Sequence, residues 1–166
     1  YLSNRCYTPD PKGLLVARKA IADYYQEAAP ELDIDTRHVF LTASTSEAYS
    51  LLFSLLGEPG DTLLTPSITY PLFELLAQHH RLECREYLLD QENNWEISES
   101  DLKRTIDQML ASAGPETSSP ESTIAAALLI SPHNPTGSIQ GRTIEALAQS
   151  KLPIISDEVF GEFRFD

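Results

Sequence analysis

Cysteine is scarce in this chain of 166 residues, which contains only Cys6 and Cys84. The two are far apart and form neither a CxxC pair nor a pattern of metal ligands. This spacing excludes a disulfide framework and gives no metal site. A reducing, cytoplasmic location is therefore the default expectation.

Basic residues and long apolar runs are also few. The chain has 12 Lys and Arg against 25 Asp and Glu, a formal net charge of −13, and its basic residues are scattered. This charge argues against nucleic acid or an anionic membrane surface as a partner. No apolar run could cross a bilayer, and the start does not resemble a signal peptide. Neither G-x-G-x-x-G nor G-x-x-x-x-G-K-[ST] occurs, which disfavours a plain nucleotide-binding α/β domain.

The hydrophobic residues, 42% of the chain, suffice for one domain with a core, and their period alternates along it. Helices are predicted over 14–28, 45–56, 71–80 and 98–113, the last with Ser98 as N-cap, and strands over 38–42, 62–65, 82–88, 125–130 and 152–156. This alternation predicts a three-layer α/β/α fold with a mostly parallel sheet. Segment 114–122, rich in Pro, Ser and Glu, is predicted to be a mobile surface loop.

Two of the predicted strands lead into polar residues at matching places. The run AAALLI is followed by SPHNPTG, which contains Asn134, and the run LPIIS is followed by Asp157 and Glu158. Each run is short enough for a strand buried on both faces. The polar residues should therefore lie at the carboxyl edge of the sheet, where open α/β sheets bind ligands.

These two segments resemble the class I/II aminotransferase family of fold-type-I pyridoxal-phosphate enzymes, in which N-P-T-G and then D-E-x-[YF] follow successive strands. The resemblance implies that Asn134 hydrogen-bonds the phenolic oxygen of the cofactor, that Asp157 pairs with its pyridine nitrogen, and that Val159 lies against one ring face. A carboxylate beside the ring nitrogen keeps it protonated, so that the ring can withdraw electrons from a substrate carbanion. Taken alone, Asp157 and Glu158 could be only a pair of carboxylates at a helix start.

The segment LTASTSEA contains the capping-box spacing of Ser44 and Glu47. On that motif alone, a well-capped helix is the favoured interpretation. The amides of a helix N-terminus also suit a phosphate dianion. The resemblance implies that Thr45 and Ser46 bind the cofactor phosphate at this turn.

Two tyrosines match aromatic positions of the family. Tyr70, in TPSITYP, matches the P-x-Y-P segment whose ring stacks on the cofactor, although alone it could simply pack at a helix start. Tyr7 matches a Y-x-x-x-x-G segment and would reach the phosphate held by the other subunit of a homodimer. A packed tyrosine in a Pro-rich loop is an equal alternative for Tyr7. His133 is given no catalytic role, since a histidine beside a turn is more often structural.

The chain departs from the family pattern in two respects. Phe160 stands where many members have a tyrosine that hydrogen-bonds the phenolic oxygen. The Schiff-base lysine segment and the family's binding arginines are not matched, and the lysines present match none of these positions: Lys12, Lys19, Lys103 and Lys151. We therefore expect residues 1–166 to be part of a longer large domain and to be inactive alone. In the family's sheet, two later strands separate the predicted strands 38–42 and 152–156, which here would keep unpaired edges.

The implied activity is pyridoxal-phosphate-dependent transfer of an amino group between an amino acid and a 2-oxo acid. Three alternatives stay open. The chain could belong to a decarboxylase or C–S lyase of the same fold, to a regulator domain, or to a non-catalytic remnant that binds a ligand or partner. The sequence does not indicate which amino acid is used.

Overall fold

The computed structural model describes residues 9–112 and 123–163. The described residues form two compact units, one before and one after the peptide bond between Ala48 and Tyr49. Tyr7 and the predicted loop at 114–122 lie outside the described residues. No helix in the described ranges combines the length and hydropathy needed to span a bilayer.

The first unit contains helix α1, Leu15–Ala28, followed by a 3₁₀ turn at Pro30–Leu32. The approach to α1 requires glycine at position 13. Gly13 has φ +89°, and a Cβ there would lie 2.6 Å from Cβ of Leu41. Both the backbone conformation and the close contact therefore exclude a larger residue.

A buried arginine holds the first unit together. Arg18 is 6% exposed. It donates Nε to the Gly13 carbonyl at 3.0 Å, Nη1 to the Thr36 carbonyl at 2.8 Å and Nη2 to Oδ2 of Asp10 at 2.5 Å. Because its charge is paired and its donors reach acceptors, these contacts offset the cost of burying the guanidinium.

Helix α2, Thr45–Leu56, contains the boundary between the units and has the bounds that the sequence predicts. The second unit then alternates strands and helices. Its elements are β1 Thr62–Pro66, α3 Leu72–His79, β2 Glu83–Tyr87, α4 Glu99–Ser112, β3 Ile124–Ile130, α5 Gly141–Gln149 and β4 Ile154–Asp157. The strands form one sheet in the order β2-β1-β3-β4, and every pair is parallel. The predicted parallel α/β fold is confirmed.

Both faces of the sheet are buried. Alternate residues of β1 and β3 point to opposite sides, so that Leu63 and Leu128 join one core while Leu64 and Leu129 join the other. The first core contains residues of α2 and α3, and the second contains residues of α4 and α5. This arrangement is the predicted three-layer architecture.

The predicted N-cap of α4 is confirmed. The backbone N–H of Asp101 donates to Oγ of Ser98 at 3.1 Å. This bond satisfies one of the amides that a helix start leaves without an intrahelical partner.

The predicted strand over 38–42 is wrong. In the described part of the chain this segment has no regular secondary structure, and the Leu41 amide donates to the Lys12 carbonyl at 2.9 Å. A strand requires a neighbour with which to exchange hydrogen bonds, and the described sheet offers none to this segment. The β-type composition of segment 38–42 therefore does not produce a strand in the described structure.

Candidate functional site

The ends of β3 and β4 lie side by side at the carboxyl edge of the sheet. Ile130 is in register with Asp157, the last residue of β4, and the Ser131 amide donates to the Asp157 carbonyl at 3.0 Å. The polar residues that follow the two strands therefore emerge at one edge, as parallel pairing requires.

Both carboxylate oxygens of Asp157 accept hydrogen bonds. Oδ2 accepts from the Tyr49 hydroxyl at 2.5 Å, and Oδ1 accepts from the Val159 amide at 3.0 Å. Tyr49 is 4% exposed, and burial raises the pKa of its phenol well above the usual value, with the hydrogen bond and charge of Asp157 adding to the effect. The phenol thus stays protonated and acts as the donor. Sequence reasoning missed Tyr49, whose only signal is a polar atom on the buried face of α2.

The turn that carries Asn134 is compact. His133 and Ser138 close it, since the His133 amide donates to the Ser138 carbonyl at 2.8 Å. Gly137 adopts φ +75°, a conformation that favours glycine. Asn134 itself is half-buried, and its carboxamide makes no hydrogen bond to another residue in the described ranges.

His133 joins this turn to the loop after β1. It is 2% exposed, with Nε2 at 2.8 Å from the Ile68 carbonyl and Nδ1 at 2.9 Å from Oγ1 of Thr136. A carbonyl only accepts, so the proton lies on Nε2 and Nδ1 accepts from Thr136. Burial lowers the pKa of His133, although the Ile68 carbonyl acts in the opposite direction. These contacts agree with the structural role expected for His133.

The hydrogen-bond chain continues from Thr136 into the core. Because the Thr136 hydroxyl donates to His133, it accepts from the Ser138 hydroxyl at 3.0 Å. Ser138 in turn accepts from Nε2 of Gln140 at 2.5 Å, and Oε1 of Gln140 accepts from Thr143 at 2.8 Å. The Asn134 turn is thereby anchored to α5, which begins at Gly141.

Tyr70 lies in the loop that His133 holds. Its side chain is exposed (55%), while Ile68, two residues earlier, accepts the His133 hydrogen bond. Val159 is similarly exposed (57%) next to Asp157. The structure thus links the segments of Tyr70 and Asn134 directly and places Asp157 beside Ser131 at the same edge.

Thr45 and Ser46 open helix α2, and their turn contains the predicted capping box. The Glu47 amide donates to Oγ of Ser44 at 3.2 Å, and the Ala43 amide donates to Oε2 of Glu47 at 2.5 Å. Thr45 is exposed and Ser46 is half-buried. These residues belong to the first unit, whereas the other predicted cofactor residues in the described ranges belong to the second.

Phe160 follows the Asp157 segment. Its ring is 39% exposed and lies edge-on to Phe163, with centroids 6.2 Å apart. This position leaves the ring partly accessible near the carboxyl edge.

Comparison with known proteins connects this geometry to a family. The family model described as aminotransferase class I and II matches residues 3–166. Tyrosine aminotransferase of Bos taurus is 30% identical over 158 residues, which cover 92% of this chain and 32% of that protein. Glutamate-pyruvate aminotransferase AlaA of Haemophilus influenzae is 30% identical over 162 residues, covering 95% of this chain and 36% of that protein.

Solved structures give the same result. An alanine aminotransferase from Pyrococcus furiosus superposes with a TM-score of 0.76 and 28% identity, covering 95% of this chain and 37% of that one. The chain thus spans about a third of the length of these relatives. With the parallel sheet and the polar residues at its carboxyl edge, these matches show that the chain belongs to the aminotransferase class I and II family.

Proposed function

We propose that this chain supplies part of the cofactor site of a pyridoxal-phosphate-dependent aminotransferase. The observation that carries the proposal is the Asp157 carboxylate, held by two hydrogen-bond donors at the carboxyl end of β4 in a chain of this family. The enzyme would transfer an amino group between an amino acid and a 2-oxo acid. The names of the similar proteins indicate different amino-acid donors, so the proposal stops at this substrate class.

The donor set at the sheet edge fits a pyridinium ring. An ionised carboxylate has about four lone-pair directions, and the two donors to Asp157 leave capacity for a third. A negative charge at this position favours the protonated ring nitrogen. When bound, the cofactor would supply an electron sink for the substrate carbanion.

The remaining predicted contacts have suitable chemistry. The open carboxamide of Asn134 can donate to the phenolic oxygen, and the exposed side chains of Tyr70 and Val159 can cover the ring faces. Thr45 and Ser46 offer hydroxyls and amides at a helix N-terminus for the phosphate.

Assembly and location complete the proposal. We propose that the enzyme is a homodimer in which Tyr7 reaches the phosphate of the partner subunit, and that it works in the cytoplasm on amino-acid metabolism. The family match supports the dimer, because members typically pair in this way.

The test compares two neighbouring carboxylates in the full-length protein. Asp157→Ala should weaken pyridoxal-phosphate binding and lower the transamination rate by about 100-fold or more, because charge stabilisation at the reacting group is lost. Glu158→Ala is the matched control, since Glu158 is exposed and its carboxylate accepts only from Ser156 among the described residues. Near-normal turnover in a folded Asp157→Ala protein would refute the assignment.

A further inference from the structure

We propose that Tyr49 is a positioning residue for Asp157, and that its hydroxyl sets the orientation in which the carboxylate meets the cofactor ring. This inference rests on the proposed function. It adds to the site a residue from α2 that none of the sequence motifs contains.

The Tyr49 ring is fixed by its neighbours. It packs edge-on against Phe73, with centroids 4.7 Å apart and an interplanar angle of 73°, and it is tilted against Phe53 at 5.8 Å. The side chain is buried in the core between α2, α3 and the sheet. A tyrosine has few rotatable bonds, so this packing leaves its hydroxyl in one place.

The hydroxyl lies where it can hold the carboxylate. Its 2.5 Å distance to Oδ2 of Asp157 is that of a hydrogen bond between a hydroxyl and an ionised acceptor. The other donor, the Val159 amide, is only two residues from Asp157 and moves with the same segment. Tyr49 is 108 residues away in sequence and is packed in the core. Its hydrogen bond therefore fixes the position of the carboxylate relative to the core of the fold. Without it, Asp157 could turn about its side-chain torsions while keeping the Val159 contact.

A merely structural hydrogen bond is the competing explanation, and Tyr87 provides the control. Tyr87 is 1% exposed, and its hydroxyl donates to the Leu128 carbonyl at 2.8 Å. Tyr49→Phe and Tyr87→Phe each remove one buried phenolic hydroxyl and keep the ring. Their structural effects should therefore be similar, whereas only Tyr49 contacts Asp157.

The experiment uses the full-length protein and three measurements: the unfolding midpoint without cofactor, the dissociation constant for pyridoxal phosphate, and kcat and KM for transamination. Both variants should lower the midpoint. Tyr49→Phe should also weaken cofactor binding and lower kcat by about 10- to 100-fold with little change in KM, because it loses a hydrogen bond to a charged group. Tyr87→Phe should leave all three cofactor-dependent values near those of the parent protein.

Tyr49→Phe in an Asp157→Ala background tests the route of the effect. If Tyr49 acts through Asp157, the second substitution should cause no further loss of cofactor affinity. The inference is overturned if Tyr49→Phe behaves like Tyr87→Phe, or if its full effect persists without the Asp157 carboxylate. Failure of the proposed function has a different signature, which is unchanged cofactor affinity and turnover in the Asp157→Ala protein itself.

Discussion

Replacing His133 with phenylalanine should destabilise the protein by about 2 kcal/mol near neutral pH. The substitution keeps a planar ring in a buried position but removes both hydrogen-bonding nitrogens. The Ile68 carbonyl loses its donor, which costs about 1–3 kcal/mol where water cannot replace it. The loss at Thr136 is smaller, because its hydroxyl keeps the contact with Ser138.

The size of this effect should depend on pH in a defined direction. Burial lowers the pKa of His133 below its ordinary value of 6.5. The unfolded chain therefore takes up a proton more readily than the folded protein does as the pH falls. The contribution of His133 is complete above about pH 6.5 and decreases as the pH falls toward the folded pKa. The phenylalanine variant cannot titrate at this position. The difference in the free energy of unfolding between the parent protein and His133→Phe should therefore decrease as the pH falls.

Urea unfolding of the full-length protein at pH 8, 7, 6 and 5 would measure this gap. His79→Phe is the matched control, because His79 is exposed at the end of α3. The effect of His79→Phe on the free energy of unfolding should be small. If the stability difference between the parent protein and His133→Phe stays constant or widens between pH 8 and pH 5, the assignment of His133 as a buried, neutral histidine is refuted.

Other substitutions test single contacts. Asp61 is buried, which opposes its charge, but hydrogen bonds from the backbone of Glu58 and from Thr123 lower its pKa. Asp61→Ala should therefore lower the free energy of unfolding by about 2 kcal/mol above about pH 4. Acid unfolding should show that this difference from the parent protein disappears as the pH falls through the pKa of Asp61 in the folded state. Arg18→Met should cost about 2 kcal/mol and speed amide exchange in α1, because three partly buried acceptors lose their donor. Ser98→Ala should cost about 1 kcal/mol in urea unfolding, whereas Ser98→Asp should retain the cap. Phe160→Tyr should lower the pH midpoint at which the absorption of the bound cofactor changes, because the added hydroxyl can donate to the phenolic oxygen. An unchanged or raised midpoint would show that position 160 does not face that oxygen.

Most elements of the second unit were predicted, because strong local signals agree with the global fold, although the helix α5 at Gly141–Gln149 was not among the predicted helices. The bounds of α2 follow from a capping box, a helical run of apolar residues and the break at Gly57. Strand β3 is apolar throughout and β1 is apolar at its centre, Leu63 and Leu64, as is typical of parallel strands covered on both sides. The placement of Asp157 at the end of β4 follows from the same rule.

The rest depends on partners distant in sequence. Segment 38–42 has the composition of a strand, but composition does not supply the neighbouring strand that pairing needs. The contact of Tyr49 with Asp157 spans 108 residues, so a pattern within α2 could show only that position 49 is buried. The direction of the His133 hydrogen bonds likewise depends on the Ile68 carbonyl, which lies 65 residues earlier in the sequence and comes next to His133 only in the fold.

The carboxyl edge of the sheet is ordered by residues outside the cofactor motifs. Tyr49 holds the carboxylate of Asp157, and His133 ties the Tyr70 loop to the Asn134 turn. Ordering side chains and loops when a ligand binds would subtract from its affinity. Because protein–protein hydrogen bonds hold these segments, a cofactor bound as we propose would meet side chains that the fold itself orders. A chain that kept Asn134 and Asp157 but lost the two supporting residues should therefore retain the family motifs and bind the cofactor weakly.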